Sequence, residues 1–356
     1  MVDSFAQSIT LDIRGGGYTF SPKDIIDGMK LSWGRSSIFD EPSKRSLSAS
    51  LLVDYAMAQA LTAGGRHVLG ERIKFLQGST VLFRGSVDTI EAEPAPGGKV
   101  RLNLHSVEAT TWNFELNKTF TTRAATASLL TASLKIQTGL PDVTIGDPVD
   151  GKTKFKQPEN QVEVTVLQAY NALVSARPLA RPIWKPDLSE VWPSFYNMQG
   201  IWYDSTFSAD KVAADTWEMN EAEQPLWVEM HTGGLFGESS QTAKFPVSGP
   251  GAGTRKVENE WGVQAYNDWE IEGVKTILAA QSTAPRKFTV AARDVPNSWM
   301  MPWETSRRFK FDPTTLTGND FYQRWEKDQA KRYVPIGGTI VVKHGLSTHE
   351  MTCVYG

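Results

Sequence analysis

The chain has one cysteine, Cys353, in 356 residues. A single thiol can neither close an intrachain disulfide nor build a cysteine-based zinc cluster, so stability is expected from burial or from assembly. Long apolar runs are missing as well: nothing approaches the roughly 18 uninterrupted apolar residues of a bilayer-spanning helix. The opening MVDSFAQSITLDIR lacks the basic start and apolar centre of an export signal, so a soluble product made without one is expected. Charge of one sign is lacking too. Lys and Arg number 37 against 40 Asp and Glu, and the balance is local, 15 against 16 in residues 1–150 and 22 against 24 beyond. No segment offers the basic surface that phosphate binding requires, which excludes nucleic acid as an expected partner.

The motifs of common chemistries are also missing. There is no G-x-S-x-G nucleophile elbow. GPGAGT at 249–254 alternates glycines but lacks the lysine of a phosphate-binding loop, and the phosphate-cradling motifs need a strand before and a helix after. His344 and His349 are the one close histidine pair; with no cysteine or clustered carboxylate nearby they read as surface or turn positions rather than metal ligands. The acidic pairs Asp40 with Glu41, Glu221 with Glu223 and Glu258 with Glu260 lie in polar surroundings and read as solvated. The expectation is no catalytic residue, no metal and no cofactor.

What is there is alternation. Ile9, Leu11 and Ile13 define a strand over 7–14, Met29, Leu31 and Trp33 another over 27–35, and Leu47, Ala49, Leu51 and Val53 a half-buried one over 46–53. After the helix-forming DYAMAQALTAGG come strands at 71–78, 80–93 and 99–109, the last two joined by the turn PAPGG. Gly85 inside a strong strand marks a bulge or a tight bend, as where a sheet curls toward closure. Short antiparallel strands of this kind predict a small barrel or sandwich. Helical spacing predicts helices at 123–139 and 165–176, and a charged surface helix at 321–333. Pro178, Pro182, Pro186 and Pro193 predict an extended connector over 177–202. Strands are expected at 225–230, 286–293, 338–344 and 350–355, and a long loop at 232–254 that binds, orders on assembly or is disordered. Nine of twelve tryptophans fall between Trp184 and Trp303. They read first as core and interface residues, second as platforms for sugar rings.

Three domains follow: a strand-rich barrel over 1–112, a helix-containing domain over 113–180, and a Trp-rich second β domain over 181–356 that includes the loop 232–254 and the C-terminal strands.

The order DGMKLSWGRSSIFDEPSKRSLSASLLV, ERIKFLQGSTVLFRGSVDTIEAE and KVRLNLHSVEATTWNFELN resembles the N-terminal domain of tail hub proteins of long-tailed bacteriophages, in particular minor tail proteins of phages of Gram-positive actinobacteria. The residues that carry it are Trp33, Gly34 and Arg35 at a strand end, and Phe83, Arg84, Gly85 and Val87 in the next edge. The ending GGTIVVKHGLSTHEMTCVYG, a strand, a His-containing turn and a last strand, resembles the family more weakly. The resemblance implies a mainly β, α+β fold of two small split β-barrels with helical and loop-rich insertions. It implies a homotrimer and a structural virion protein at the tail tip, a baseplate hub that joins the tail tube and distal tail protein to the tip or central fibre, with the tape measure protein nearby. No membrane segment and no active site come with it. The rival readings are a carbohydrate-binding minor tail protein that contacts the host wall, with Trp184, Trp192, Trp202, Trp299 and Trp303 as candidate interface or glycan aromatics, and, less favoured, a cell-wall hydrolase.

Overall fold

A computed structural model of the chain describes residues 3–13, 17–36, 45–62, 72–108, 115–116, 125–126, 144–145, 154–156, 164–165, 181–185, 190–194, 203–217, 226–233, 241–246, 252–263, 286–295, 307–312 and 332–355. The alternation of the N-terminal part becomes strands. A short helix α1 (Ser4–Gln7) leads into β1 (Ile9–Ile13), whose Ile9, Leu11 and Ile13 are buried. Next come β2 (Tyr18–Phe20), β3 (Ile25–Gly34) and β4 (Ser46–Asp54), with Leu47, Ala49, Leu51 and Val53 all on the core face. Asp54 then caps helix α2 (Tyr55–Thr62), its Oδ1 accepting from Met57 N at 2.7 Å. β5 (Arg72–Gln77), β6 (Thr80–Ala95) and β7 (Lys99–Glu108) complete this part. Ala58 and Leu61 of α2 are buried where the helix packs against β4, β6 and β7. The turn expected at 94–98 is present, with Gly97 at φ 72° and Gly98 at φ 70°.

The middle of the chain departs from expectation. It contributes the short strands β8 (Glu115–Leu116), β9 (Ala125–Thr126), β10 (Thr144–Ile145), β11 (Lys154–Lys156), β12 (Val164–Thr165), β13 (Arg181–Trp184) and β14 (Glu190–Ser194). The helix expected over 123–139 is contradicted where residues are described, because Ala125–Thr126 pairs with β11; Thr165, the first residue of the helix expected over 165–176, pairs with β8. Branching at Cβ favours the strand in Thr126, Val164 and Thr165. The rest of both expected helices, and the 321–333 helix up to residue 331, lie outside the described residues. The connector expected over 177–202 instead holds an antiparallel ladder of β13 with β14, Pro182 opposite Pro193. Among the described residues both prolines have a strand on one side only, since β13 is an edge and Pro193 lies beyond the two residues of β14 that pair with β10, so a missing N–H breaks no second ladder there.

β15 (Tyr203–Phe207) and β16 (Val212–Trp217) follow, then β17 (Trp227–Gly233), β18 (Gln241–Pro246) and β19 (Thr254–Val263). The loop expected over 232–254 therefore contains a strand: β18 pairs along its length with β17. An edge strand needs only one backbone partner, and exposed Thr242, Lys244 and Pro246 give it the composition of a loop. Last come β20 (Arg286–Ala291), β21 (Arg307–Phe311), β22 (Tyr333–Lys343) and β23 (Leu346–Tyr355). The turn between the final two strands has His344 at φ 51° and Gly345 at φ 74°, the pair of left-handed residues that a two-residue hairpin requires.

Thirteen strands form one sheet in the order β16-β20-β23-β22-β3-β4-β7-β6-β5-β1-β2, with β15 and β21 attached through β22. Every pairing in it is antiparallel except β15 with β21. The last hairpin is thus central. Gly337 to Val342 of β22 pair with β3, whereas Tyr333 at its other end pairs with Phe309 of β21. Two buried clusters divide along the same line. The first gathers α1, β1 to β7 and α2 with Ile340 and Val342; the second gathers Phe207, Phe288, Val290, Phe309 and Phe311 with Tyr333, Met351 and Cys353. One hairpin therefore contributes its tip to one core and its base to the other. The structure is mostly β.

Candidate functional site at the strand junction

The resemblance residues fall in two places, and the packing explains the residue types. β3 ends at Trp33 and Gly34, where it crosses β22. Arg35 N donates to Ile336 O at 2.9 Å, which brings the two backbones together. Gly34 sits at φ 73°, and a Cβ there would lie 2.3 Å from Ile336 O and 2.4 Å from Gly337 Cα. Gly337 is hemmed in reciprocally: its Cβ would lie 2.4 Å from Arg35 O. Only glycine fits on either side of this crossing. Trp33 and Arg35 flank it, both buried.

Trp33 reaches across to the last strand. Its Nε1 donates to His349 Nε2 at 3.1 Å, and the rings lie 5.7 Å apart between centroids. Indole N–H can only donate, so Nε2 is the acceptor and the imidazole proton sits on Nδ1, which has no hydrogen-bond partner among the described residues. Burial pushes the imidazole pKa down from 6.5 to about 3, so this histidine is neutral. The expectation of surface or turn positions for both histidines is corrected here: His344 is in the turn, but His349 is fully buried. Its inward face follows from its place in β23, two residues from buried Met351.

Asp3 closes the same junction from the N-terminus. Its Oδ1 accepts from the N–H groups of Phe5 and Ala6, capping α1, while Oδ2 takes the N–H of Ser347 at 2.5 Å and its hydroxyl at 2.7 Å. Burial opposes ionisation of this carboxylate, but the four donors outweigh it and hold the pKa below the usual 3.8. Asp3→Ala removes the cap and strands the Ser347 N–H and hydroxyl. A loss of about 2 kcal/mol in unfolding free energy is expected, read by urea titration. Because the folded pKa is depressed, this contribution is present above pH 3.8 and fades as pH falls further. A variant as stable as the parent would remove the clasp from the account.

The other resemblance residues mark the crossing of β6 and β7. Phe83 and Val87 are buried, Arg84 is partly so, and a Cβ on Gly85 would lie 2.3 Å from Val107 O and 2.4 Å from the Phe83 ring. Gly85 is therefore a close approach, while the register shift in this ladder lies between Val87 and Thr89. Nearby, buried Arg45 and Glu108 exchange backbone and side-chain bonds: Glu108 N donates to Arg45 O at 2.8 Å, and Arg45 N to Glu108 Oε2 at 3.2 Å. In the second core buried Arg286 donates from Nη1 to the Tyr333 hydroxyl at 2.6 Å and lies 4.9 Å from the Phe288 ring centroid. Asp3, Gly337 and Arg286 carried no functional reading in the sequence, and His349 was weighed only as a metal ligand; the tandem glycine in a strand was the signal available for Gly337.

Of the candidate aromatics, Trp184 and Trp192 lie in β13 and β14, whose side chains, like all of Trp202, Trp299 and Trp303, fall outside the described residues. Asp40 with Glu41 and Glu221 with Glu223 fall outside them too. Thr254, the last residue of GPGAGT, opens a strand, β19, and not the helix a phosphate cradle needs. Among the described residues no cluster of three His, Cys, Asp or Glu could hold a metal, and no helix is long and apolar enough to cross a membrane. One hydroxyl, imidazole and carboxylate chain exists: Thr242 Oγ1 lies 3.1 Å from His231 Nδ1, and His231 Nε2 lies 2.5 Å from Glu229 Oε1. It lies along a sheet face with Thr242 exposed, rather than in a cleft beside an oxyanion hole.

No protein-family model matches the chain, and no curated relative matches it in sequence. Solved structures do match in fold. A tail protein from Neisseria meningitidis MC58 superposes with a TM-score of 0.61 at 11% identity, covering 98% of this chain and 97% of its own. The 43 kDa tail protein of prophage MuSo2 from Shewanella oneidensis superposes with a TM-score of 0.55 at 10% identity, covering 97% of each chain. A type VI secretion system component of E. coli, described as structurally similar to T4 bacteriophage tail proteins, gives 0.47 at 10% identity, covering 97% of this chain and 76% of its own. Over nearly its whole length, this chain is similar in fold to two tail proteins, one of them from a prophage.

Proposed function

We propose that the chain is a structural hub of a phage tail, at the distal end of the tail, where it joins the tail tube and distal tail protein to the tip or central fibre and lies near the tape measure protein. The observation that carries this is the likeness in fold to two tail proteins over nearly the whole of both chains. In this reading the two buried clusters are the cores of two small split barrels that share the last hairpin. The domains proposed are 1–112, 113–180 and 181–356, with the final strands serving both barrels. The N-terminal motifs support a phage of a Gram-positive actinobacterium, and the hub carries no enzymatic activity.

A homotrimer follows from the same reading, and the open strand edges support it. β6 runs from Thr80 to Ala95, but β5 pairs only with its first part, through Ser86, so the stretch from Asp88 to Ala95 has β7 alone as a strand partner among the described residues. Glu91, Glu93 and Pro94 are exposed along it. Charge and proline there discourage indiscriminate ladder growth, while leaving side chains available to a defined neighbour. Light scattering on the purified chain, alone and with its distal tail protein, should give three copies per particle, and labelled antibody should decorate the distal end of intact tails. A chain that stays monomeric in both mixtures and is absent from tails would end the hub reading.

A further inference from the structure

The hairpin of β22 and β23 is fastened at three levels by buried polar contacts, each to a different element. At its tip Ser347 gives its N–H and its hydroxyl to Asp3, the N-cap of α1. Midway along β23, His349 accepts from Trp33 of β3. At the base, the Tyr333 hydroxyl accepts from Arg286 of β20. None of these six residues is more than 5% exposed. A donor or acceptor in such surroundings that loses its partner finds no water in exchange, so a shifted or half-withdrawn hairpin breaks these contacts without replacing them.

The ladders constrain the hairpin in the same way. Gly337 to Val342 pair with β3 on one flank, and Thr348 to Cys353 pair with β20 on the other. Withdrawal therefore opens both ladders. It also takes Ile340 and Val342 from the first core and Tyr333, Met351 and Cys353 from the second, so neither core stays closed without it. Ala292, in the turn after β20, is a second tie: it is buried in the first core, while Val290 and Val295 on either side of it are buried in the second. Parts that swing against each other need a crossing that can bend. Here the crossing is four adjacent strands, β20, β23, β22 and β3.

We infer that this hairpin is an interlock: it is held or released as one piece, and its release opens both cores in a single event. The two cores then form one cooperative unit with no hinge between them. A neighbour that steadies one core steadies the other by the same free energy, because only the state with both closed can bind it. The interlock needs no partner to operate, so it is independent of the hub assignment.

Hydrogen exchange of the full chain at neutral pH, read by mass spectrometry on peptides from β4 and β20, tests it with two conservative variants at opposite ends of the hairpin. Ser347→Ala removes the tip hydroxyl beside the first core, and Tyr333→Phe removes the base hydroxyl within the second. Each variant should speed the slowest-exchanging amides about fivefold, by the same factor in β4 as in β20. Leu346→Ala, at an exposed position next to the tip contact, should change either rate by less than about twofold. A circular dichroism spectrum equal to the parent's confirms that each variant is folded. The interlock is overturned if Ser347→Ala speeds exchange in β4 alone, if Tyr333→Phe speeds it in β20 alone, or if neither variant speeds it in either strand.

Discussion

Gly34→Ala should cost about 3 to 5 kcal/mol, enough to leave little folded chain, whereas Gly78→Ala should cost only about 1 kcal/mol. Both glycines have positive φ, 73° and 58°. An alanine at either position bears the strain of the left-handed region. The surroundings differ: around Gly78 a Cβ meets nothing within 4 Å, but at Gly34 it would lie 2.3 Å from Ile336 O and 2.4 Å from Gly337 Cα. Those atoms are backbone of β22: Gly337 is paired with β3 and β23, and Ile336, the bulged residue before it, accepts from Arg35 N, so relief requires β3 and β22 to separate. Because β22 is the strand through which both cores connect, separation there exposes parts of each. Urea unfolding of the two variants side by side provides the measurement; equal costs would mean that the crossing is looser than described.

The second large effect is acid sensitivity from His349. In the unfolded chain this imidazole takes a proton near pH 6.5, while in the folded chain burial holds its pKa at about 3. The group is depressed on folding, so its contribution is intact above pH 6.5 and declines as pH falls from 6.5 towards 3. The slope approaches about 1.4 kcal/mol per pH unit, which makes roughly 2 to 3 kcal/mol by about pH 4.5. Carboxylates such as Asp3 add their own loss only at lower pH. His349→Gln isolates the effect, because an amide oxygen can accept the Trp33 N–H but does not titrate. The difference in unfolding free energy between parent and variant should shrink or reverse as pH is lowered from about 7.5 to about 4.5. Parallel curves for the two proteins would contradict the assignment.

The strands of the first hundred residues were legible because each buries one face: Leu47, Ala49, Leu51 and Val53 announce both the strand and its inward side. The same rule misreads strands that bury little. β18 is exposed at Thr242, Lys244 and Pro246 and lies among glycines, and β13 and β14 contain proline, so local composition points to loop or connector although the ladder partners are neighbours in sequence, β14 for β13 and β17 for β18. Two-residue strands such as β9 and β12 are shorter than any period that could announce them. In β6, Gly85 could be read as a place of tight geometry but its neighbour Val107 could not, and at the junction the crowding of Gly34 by Ile336 and Gly337 was not legible at all. His349 was misplaced because one polar residue in an alternating strand does not reveal whether a donor waits across the sheet.

By itself, then, the sequence determined that the protein is a β structure without disulfides, and where its strongest strands begin and end. Side-chain period and backbone sterics are local properties, written in consecutive residues. Only the tertiary structure decided that β22 returns to lie beside β3, some three hundred positions earlier in the chain, and that a single hairpin serves two cores. Strand pairing joins backbone groups that are the same in every residue, so the choice of partner is made by the packing of whole faces against one another.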